Sequence, residues 1–233
     1  MPVSDPLFDA PFYQAINEAR WAALMRMIEI AEMQIGPLET VNDLGAGPGW
    51  FARRLSDTGR DVLGLDGRRE LVEVARQRAP SARFEIFDFD AAALAAIPRV
   101  ADAVLCFGLL YHLENPLRAL RFCRAMTRKV LFLESMTLPE QGPLARVVPE
   151  NANQTQGIRP LAMLMTPEAI LHGLLAAGFA FVYRMDGARI DHPDFVQGAD
   201  RAKRRDVFLA TDHAIAAPDL TLCEPAELKR VTY

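Results

Sequence analysis

The chain has 233 residues, 51% of them apolar, with 26 basic against 30 acidic side chains and a formal net charge of −4. That is enough apolar material for one substantial core and argues against a large nucleic-acid surface. No run of about 18 apolar residues offers a membrane span. Cys106, Cys123 and Cys223 lie far apart without metal-ligand spacing, and read as buried thiols in a reducing cytoplasm. Met1-Pro2-Val3-Ser4-Asp5 has no basic segment before an apolar run, so no signal peptide is expected.

From Tyr13 to Met33, Ile16, Ala19, Ala23, Met27, Ile30 and Ala31 recur at three- and four-residue spacing, which predicts an amphipathic helix ended by Gly36-Pro37. Val41 to Leu44 is a short apolar strand turning sharply into a helix through Gly45, Gly47 and Gly49. A strand then ends at Asp66, a helix covers Arg69 to Arg78, a strand covers Arg83 to Phe87, and Ala103 to Phe107 is the fourth strand. Asn115-Pro116 opens another helix, with Asn115 as N-cap and Leu117, Leu120 and Ala125 toward the sheet. Val130 to Leu133 is the fifth strand. From Met136 to Met165 the pattern breaks into an irregular segment rich in Pro, Gln, Asn and Gly, of the length that lids and substrate loops have. Thr166-Pro167-Glu168 restarts a helix that Gly178 ends, and Phe179 to Met185 is a strand. A turn-rich insert spans Asp186 to Arg205, in which Arg201-Ala202-Lys203-Arg204-Arg205 reads as a solvated lead-in to the last strand, Asp206 to Ala210. Such alternation makes a parallel sheet with helices on both faces.

The glycine-rich turn sits where a helix N-terminus meets the carboxyl edge of the sheet, the usual cofactor position in such folds. Its spacing separates the candidates. A dinucleotide fingerprint needs a glycine where this chain has Trp50, and no G-x-x-x-x-G-K-[ST] is present. The turn is G-x-G-x-G preceded by Asp43, and an acidic residue there suits an ammonium group better than a pyrophosphate. Taken singly, each of Asp43, Asp66 and Asp88 also fits a helix cap.

In order, Val41 to Gly49, Val62 to Asp66, Phe84 to Phe89 and Leu110-Tyr111-His112-Leu113 resemble the class I S-adenosylmethionine-dependent methyltransferases, a likeness running from about Leu38 to Ala210. The resemblance implies a Rossmann-like doubly wound, mostly parallel seven-stranded sheet with an antiparallel last strand. It also implies an N-terminal helical extension and insertions after the fifth and sixth strands, in a single domain. Within it, 1–37 would be a helical lid, 38–135 the cofactor core, 136–165 a substrate lid, 166–212 the rest of the sheet and 213–233 a tail. Gly45, Ala46, Gly47 and Gly49 would line the methionine end of S-adenosylmethionine, with Asp43 toward its amino group. Asp66, with Gly67 beside it, would hold the ribose. Asp88 would meet the adenine amino group, and Phe87 or Phe89 its ring. The end of the fourth strand, Cys106 and Phe107, would offer backbone carbonyls to the ammonium. Tyr13, Arg20 and Trp21 would close over the cofactor, Arg20 meeting its carboxylate, although a surface helix has the same pattern.

His112 is the candidate base, since an imidazole titrates near neutral pH and the resemblance sets it beside the reactive methyl; a packing role fits it as well. Tyr111 would line the pocket. Glu134, at the end of the fifth strand, would bind the acceptor, orient His112 or cap the loop. Asn153, Gln154, Gln156 and Arg159 are candidate acceptor contacts. His172, His192 and His213 lack neighbours at metal-ligand spacing, and no metal is expected. The reading is methyl transfer to oxygen or nitrogen of a small polar metabolite of natural-product or sugar type. The acceptor would enter between the N-terminal helix, the segment after Glu134 and the 186–205 insert. A tRNA or protein methyltransferase and a non-catalytic S-adenosylmethionine-binding protein are the alternatives. The expected partner is a small-molecule acceptor, with no membrane and no nucleic acid, and a homodimer is left open.

Overall fold

The computed structural model describes residues 8–151, 153, 155–196 and 204–228. The chain begins with α1 (Pro11–Ile35), on which all six of the spaced apolar residues, Ile16 to Ala31, are buried. There follow β1 (Thr40–Leu44), α2 (Trp50–Asp57), β2 (Asp61–Asp66), α3 (Arg69–Arg78), β3 (Arg83–Ile86), β4 (Ala101–Phe107), α4 (Pro116–Met126) and β5 (Thr127–Thr137). Then come β6 (Ala145–Pro149), β7 (Leu161–Met165), α5 (Pro167–Ala177), β8 (Phe181–Met185), β9 (Arg204–Thr211) and β10 (Leu220–Leu222).

The strands lie in the order β10-β8-β9-β5-β4-β1-β2-β3. From β3 to β5 all neighbours are parallel, while β9 runs antiparallel to both β5 and β8. This is the Rossmann-like arrangement. Going from β1, the chain first builds outward through β2 and β3 and then returns to the other side of β1 with β4. That reversal opens a crevice at the carboxyl ends of β1 and β4. Every residue of β4 is buried, as a central parallel strand covered on both faces must be. One core layer packs α1, α2 and α3 on one face, and another packs α4 and α5 on the other.

Four expectations are corrected. The segment 136–165 is not irregular: β5 runs on to Thr137, and β6 and β7 form an antiparallel hairpin joined to it at Thr137 and Met165. All but one of the β6 residues are exposed, so backbone pairing rather than burial makes this hairpin, and composition does not announce it. On α4, Leu117 is 50% exposed, and the buried face is Ala119, Leu120, Phe122, Cys123 and Met126. The Asn115 side chain does not cap that helix; the carboxylate of Asp90 instead accepts from the backbone N–H groups of Glu114 (3.1 Å) and Asn115 (2.9 Å). Beyond residue 213 the chain adds β10, an edge strand on β8, while residues 229–233 lie outside the described part. Cys106 and Cys123 are buried and Cys223 half-buried, all three as free thiols. Among the described residues no helix is long and apolar enough to cross a membrane.

Gly64 in β2 shows how closely the sheet and the glycine turn are fitted. A Cβ placed there would come within 2.4 Å of the Phe84 ring and 3.0 Å of the Ala46 methyl. Gly64→Ala is therefore expected to destabilise the protein by about 1–3 kcal/mol, the usual cost of overpacking. Urea unfolding measures this, and a change below about 0.5 kcal/mol would show that the ring moves aside freely.

Candidate active site

The turn from β1 to α2 is held by its own backbone. Gly45 and Ala46 both donate to the Leu65 carbonyl, at 2.8 and 3.0 Å, which ties the turn to the end of β2. Gly47 and Gly49 take φ values of 52° and 82°, in the left-handed region that disfavours residues with a Cβ. Asp66 completes the cradle: one oxygen accepts from Gly47 N–H and the other from Arg68 N–H, both at 2.9 Å. Burial raises the Asp66 pKa, and these two N–H groups work against that rise.

A cavity of about 110 Å³ lies against this cradle, lined among others by Gly45, Gly47, Asp66, Gly67, Phe87, Asp88, Phe89, Gly108 and His112. Phe87 and Phe89 meet there edge to face, with centroids 4.9 Å apart. Other residues assigned to the cofactor stand further back. Asp43 lies beneath the turn, 2% exposed and outside the cavity wall, where it accepts from the Ala52 N–H in the first turn of α2. Cys106 is buried beside Cys123, and the Phe107 ring packs on Phe51 at 5.7 Å.

The loop between β6 and β7 is strapped over this cavity. Arg68 Nη2 donates to the carbonyls of Asn153, Gln156 and Gly157 at 3.3, 3.0 and 2.8 Å, and Arg159 pairs with Asp88 at 2.8 Å. Asn153 and Arg159, expected at the acceptor, thus fasten the loop on the cofactor side. Gln156 lines both this cavity and the next; Gln154 lies outside the described residues. Ile158 rests on Gly67, where a Cβ would be only 2.2 Å from its Cδ1.

A second cavity, about 530 Å³, opens on the other side of His112. Its walls come from α1 (Tyr13, Ile16, Arg20), from the hairpin (Val148, Glu150, Leu164), from the insert (His192, Asp194) and from Tyr111 and Arg205. These are the three segments between which the acceptor was expected to enter. His112 lines both cavities. Its Nδ1 is 2.8 Å from the Glu150 carboxylate, itself 6% exposed, and the Tyr111 ring lies 4.2 Å from the imidazole.

Glu134 takes a different place from the one its sequence position indicates. It lies inside β5, which continues to Thr137, and is 0% exposed. Arg20 meets one of its oxygens at 2.9 Å and Arg205 the other at 2.8 Å. Desolvation pushes its carboxyl upward, yet the two guanidinium groups outweigh this and hold it below the ordinary value. Arg205 also donates to the Tyr111 hydroxyl at 3.2 Å and stacks 5.3 Å from that ring centre. Burial lowers its pKa, but Tyr111 and Glu134 more than reverse that, leaving it raised. Arg205 is therefore part of the cavity floor and not a solvated lead-in; of the same basic run, residues 201–203 lie outside the described part. Glu134 is spoken for by two arginines, and the carboxylate on His112 belongs to Glu150. Reading the sequence missed both Arg205 and Glu150. The first was hidden in a charge run and the second in a polar loop, and neither carries a spacing signal. Among the described residues no group of His, Cys, Asp and Glu is arranged to hold a metal ion.

Asp43 gives this region a pH signature. Burial, helped by the nearby charge of Asp66, raises its pKa from 3.8 to about 7 in the folded chain. Unfolded, it ionises near its ordinary value, so its contribution is fully present below about pH 4 and is lost as pH rises toward 7. Ligand-free protein should lose stability relative to Asp43→Asn between about pH 5 and pH 7 in urea melts. Parallel curves for the two proteins would contradict that assignment.

Residues 42–130 match the family model described as "Methyltransferase domain". A ubiquinone biosynthesis O-methyltransferase of Aliivibrio fischeri is 34% identical over 91 residues, covering 38% of this chain and 39% of that protein. One of Xanthomonas campestris is 28% identical over 118 residues, 48% of this chain and 49% of that protein. The chain thus spans less than half the length of these curated relatives. Over most of the chain the fold matches solved structures. The N-terminal domain of EvdMO1 with SAH bound has a TM-score of 0.62 at 22% identity, covering 84% of this chain and 79% of that one. An S-adenosylmethionine-dependent methyltransferase from Mesorhizobium loti has a TM-score of 0.61 at 22% identity, covering 83% and 97%. The ordered motifs lie on one cradle inside residues 42–130, the segment that matches a methyltransferase domain, and the surrounding fold is the one these S-adenosylmethionine-dependent methyltransferase structures have.

Proposed function

We propose that the protein transfers a methyl group from S-adenosylmethionine to an oxygen or nitrogen of a small polar acceptor, of natural-product or sugar type, in the cytoplasm. The observation that carries this is His112, which lines both the cavity on the glycine turn and the larger one beyond it. A nucleoside donor on one side and an acceptor on the other would meet at that ring. The curated relatives are named as O-methyltransferases, which favours oxygen. EvdMO1, which shares the fold, was also crystallised in the presence of SAH and D-fucose. The free cysteines accord with a reducing compartment.

The residues present suit the donor. Asp66, its position fixed by two backbone N–H groups, would accept from ribose hydroxyls. Phe87 and Phe89 give an apolar wall, Asp88 would accept from the adenine amino group, and Gly45, Ala46, Gly47 and Gly49 keep side chains away from the methionine end. Asp43 would act on the ammonium through its charge from below the turn, and the β4 carbonyls of Cys106 and Phe107 would accept from it. Typical ligand sites hold roughly 300–1,000 Å³, against about 110 Å³ here. Ile158, seated on Gly67, is the side chain that must yield, so the 136–165 hairpin would act as a lid that lifts and closes again.

When bound, the donor supplies an electrophilic methyl on a sulfonium. His112 would take the proton of an acceptor O–H as its oxygen attacks, or the proton that an acceptor nitrogen must shed once its own lone pair has been methylated. Tyr13, Ile16, Val148 and Leu164 keep water from the line of attack, where opposite charges cancel and a drier site helps. Arg205, fixed by Glu134 and Tyr111, would orient the acceptor's polar groups, and Arg20 would meet the donor's carboxylate from the same floor.

The reaction is tested by transfer of labelled methyl from S-adenosylmethionine to a panel of hydroxylated and amino acceptors. Labelled product is expected with the wild type and, at about 10²- to 10⁴-fold lower rate, with His112→Ala. No transfer to any member, or equal rates for the two proteins, would contradict the proposal. Asp66→Ala should weaken S-adenosylhomocysteine binding by about 1.5–3 kcal/mol in calorimetry, the range for losing a charge-assisted hydrogen bond. Unchanged affinity in a folded variant would move the ribose elsewhere.

A further inference from the structure

We infer that Glu150 is the positioning residue of His112, fixing its ring tautomer so that Nε2 is free to take the acceptor's proton. The inference rests on the two cavities being donor and acceptor sites, and adds to that reading a residue from a remote part of the chain. A carboxylate can only accept, so at 2.8 Å from Glu150 Oε1 the His112 Nδ1 must carry a hydrogen. The lone pair then sits on Nε2 of a ring that borders both cavities. Glu150 is 6% exposed and His112 15%, so water competes little for this bond. Glu134, the carboxylate that its place in the sequence suggested for that work, is held between Arg20 and Arg205.

The hairpin is built to deliver Glu150 to this spot. The Glu150 N–H donates to the Pro160 carbonyl at 2.9 Å, closing the pair just beyond the β6 and β7 register. Gly157 lets the loop fold down: a Cβ there would lie 2.4 Å from the His112 carbonyl oxygen and 3.3 Å from Glu150 Cγ. The same loop is fastened over the first cavity by Arg68 and by the pair of Arg159 and Asp88. The loop that covers the donor cavity therefore also carries the carboxylate of His112, while Arg68 and Arg159 hold it there without that pair. During transfer the acceptor's O–H bond breaks and its proton goes to Nε2. The oxygen's electron pair forms the bond to the methyl carbon, and the carbon–sulfur pair returns to sulfur. Glu150 faces the imidazolium that results.

The test uses the full chain with ¹⁵N-labelled histidine and saturating S-adenosylhomocysteine, the His112 signals being assigned with His112→Asn. Wild type should show the Nδ1–H tautomer, Glu150→Ala should move it toward Nε2–H, and Glu150→Asp should restore part of the wild-type signal. With catechol as acceptor probe, Glu150→Ala should lower kcat by about 10- to 100-fold and leave S-adenosylhomocysteine affinity within about twofold. Glu150→Gln, which keeps the side chain's shape, should fall between these limits. An Nδ1–H tautomer that persists in Glu150→Ala would overturn the inference. So would an equal loss of kcat and S-adenosylhomocysteine affinity, which would reduce Glu150 to a fastening of the hairpin. If the wild type leaves catechol unmethylated, the tautomer measurement alone decides for or against Glu150, and the failure falls on the proposed reaction.

Discussion

A carboxylate cut off from water stays ionised only if cations come to it, and Glu134 brings two. Arg20 arrives from α1 and Arg205 from β9, so one buried charge in β5 pins together segments from the beginning, middle and end of the chain. Removing one partner from such a group typically costs about 3–5 kcal/mol, because the remaining charge is left stranded. Its stabilising value over an apolar replacement is a separate matter. What the group fixes is geometry: α1 cannot drift from the sheet and Arg205 cannot leave Tyr111 without exposing an unpaired charge.

The site is then assembled from parts of different stiffness. The glycine turn and Asp66 are locked by backbone hydrogen bonds to β2, as a preformed cradle should be. The β6–β7 hairpin is held by one bridge to β5, by backbone hydrogen bonds from Leu138 to Met165 and from Met163 to Leu113, by Arg68, and by the pairs of Arg159 with Asp88 and of His112 with Glu150. Of these, the part-exposed pair of Arg159 and Asp88 is worth only about 0.2–1 kcal/mol. Cradle and hairpin meet at His112, whose carboxylate partner, Glu150, directly follows β6.

How much of this could be read in the sequence depended on whether a residue's neighbours were near it in the chain. The α3 helix runs from Arg69 to Arg78, the span that its local pattern gives, and the strand-helix alternation yields the parallel core of the sheet with helices on both faces. Pairing along exposed backbone left no trace: β6 is mostly exposed, and it lies in a segment whose Pro, Gln, Asn and Gly read as a loop. Leu117 illustrates the limit of periodicity, since a helix can bury a stripe one position away from the one chosen. The charged residues were hardest. Glu134 and Arg205 are 71 residues apart, and His112 and Glu150 38 apart, so each looked like ordinary polarity until the fold closed. The cofactor motifs were legible because their spacing is local; of the second cavity only the enclosing segments were, since the side chains that line it are brought together from separate stretches.

A crystal structure with S-adenosylhomocysteine tests the account most directly, since the claim is that donor and acceptor cavities join at His112. The account predicts the ribose hydroxyls on Asp66, the adenine between Phe87 and a displaced Ile158, and the sulfur at the opening of the second cavity, beside His112. The ligand seated elsewhere, or its sulfur walled off from the second cavity with His112 turned away from both, would contradict it.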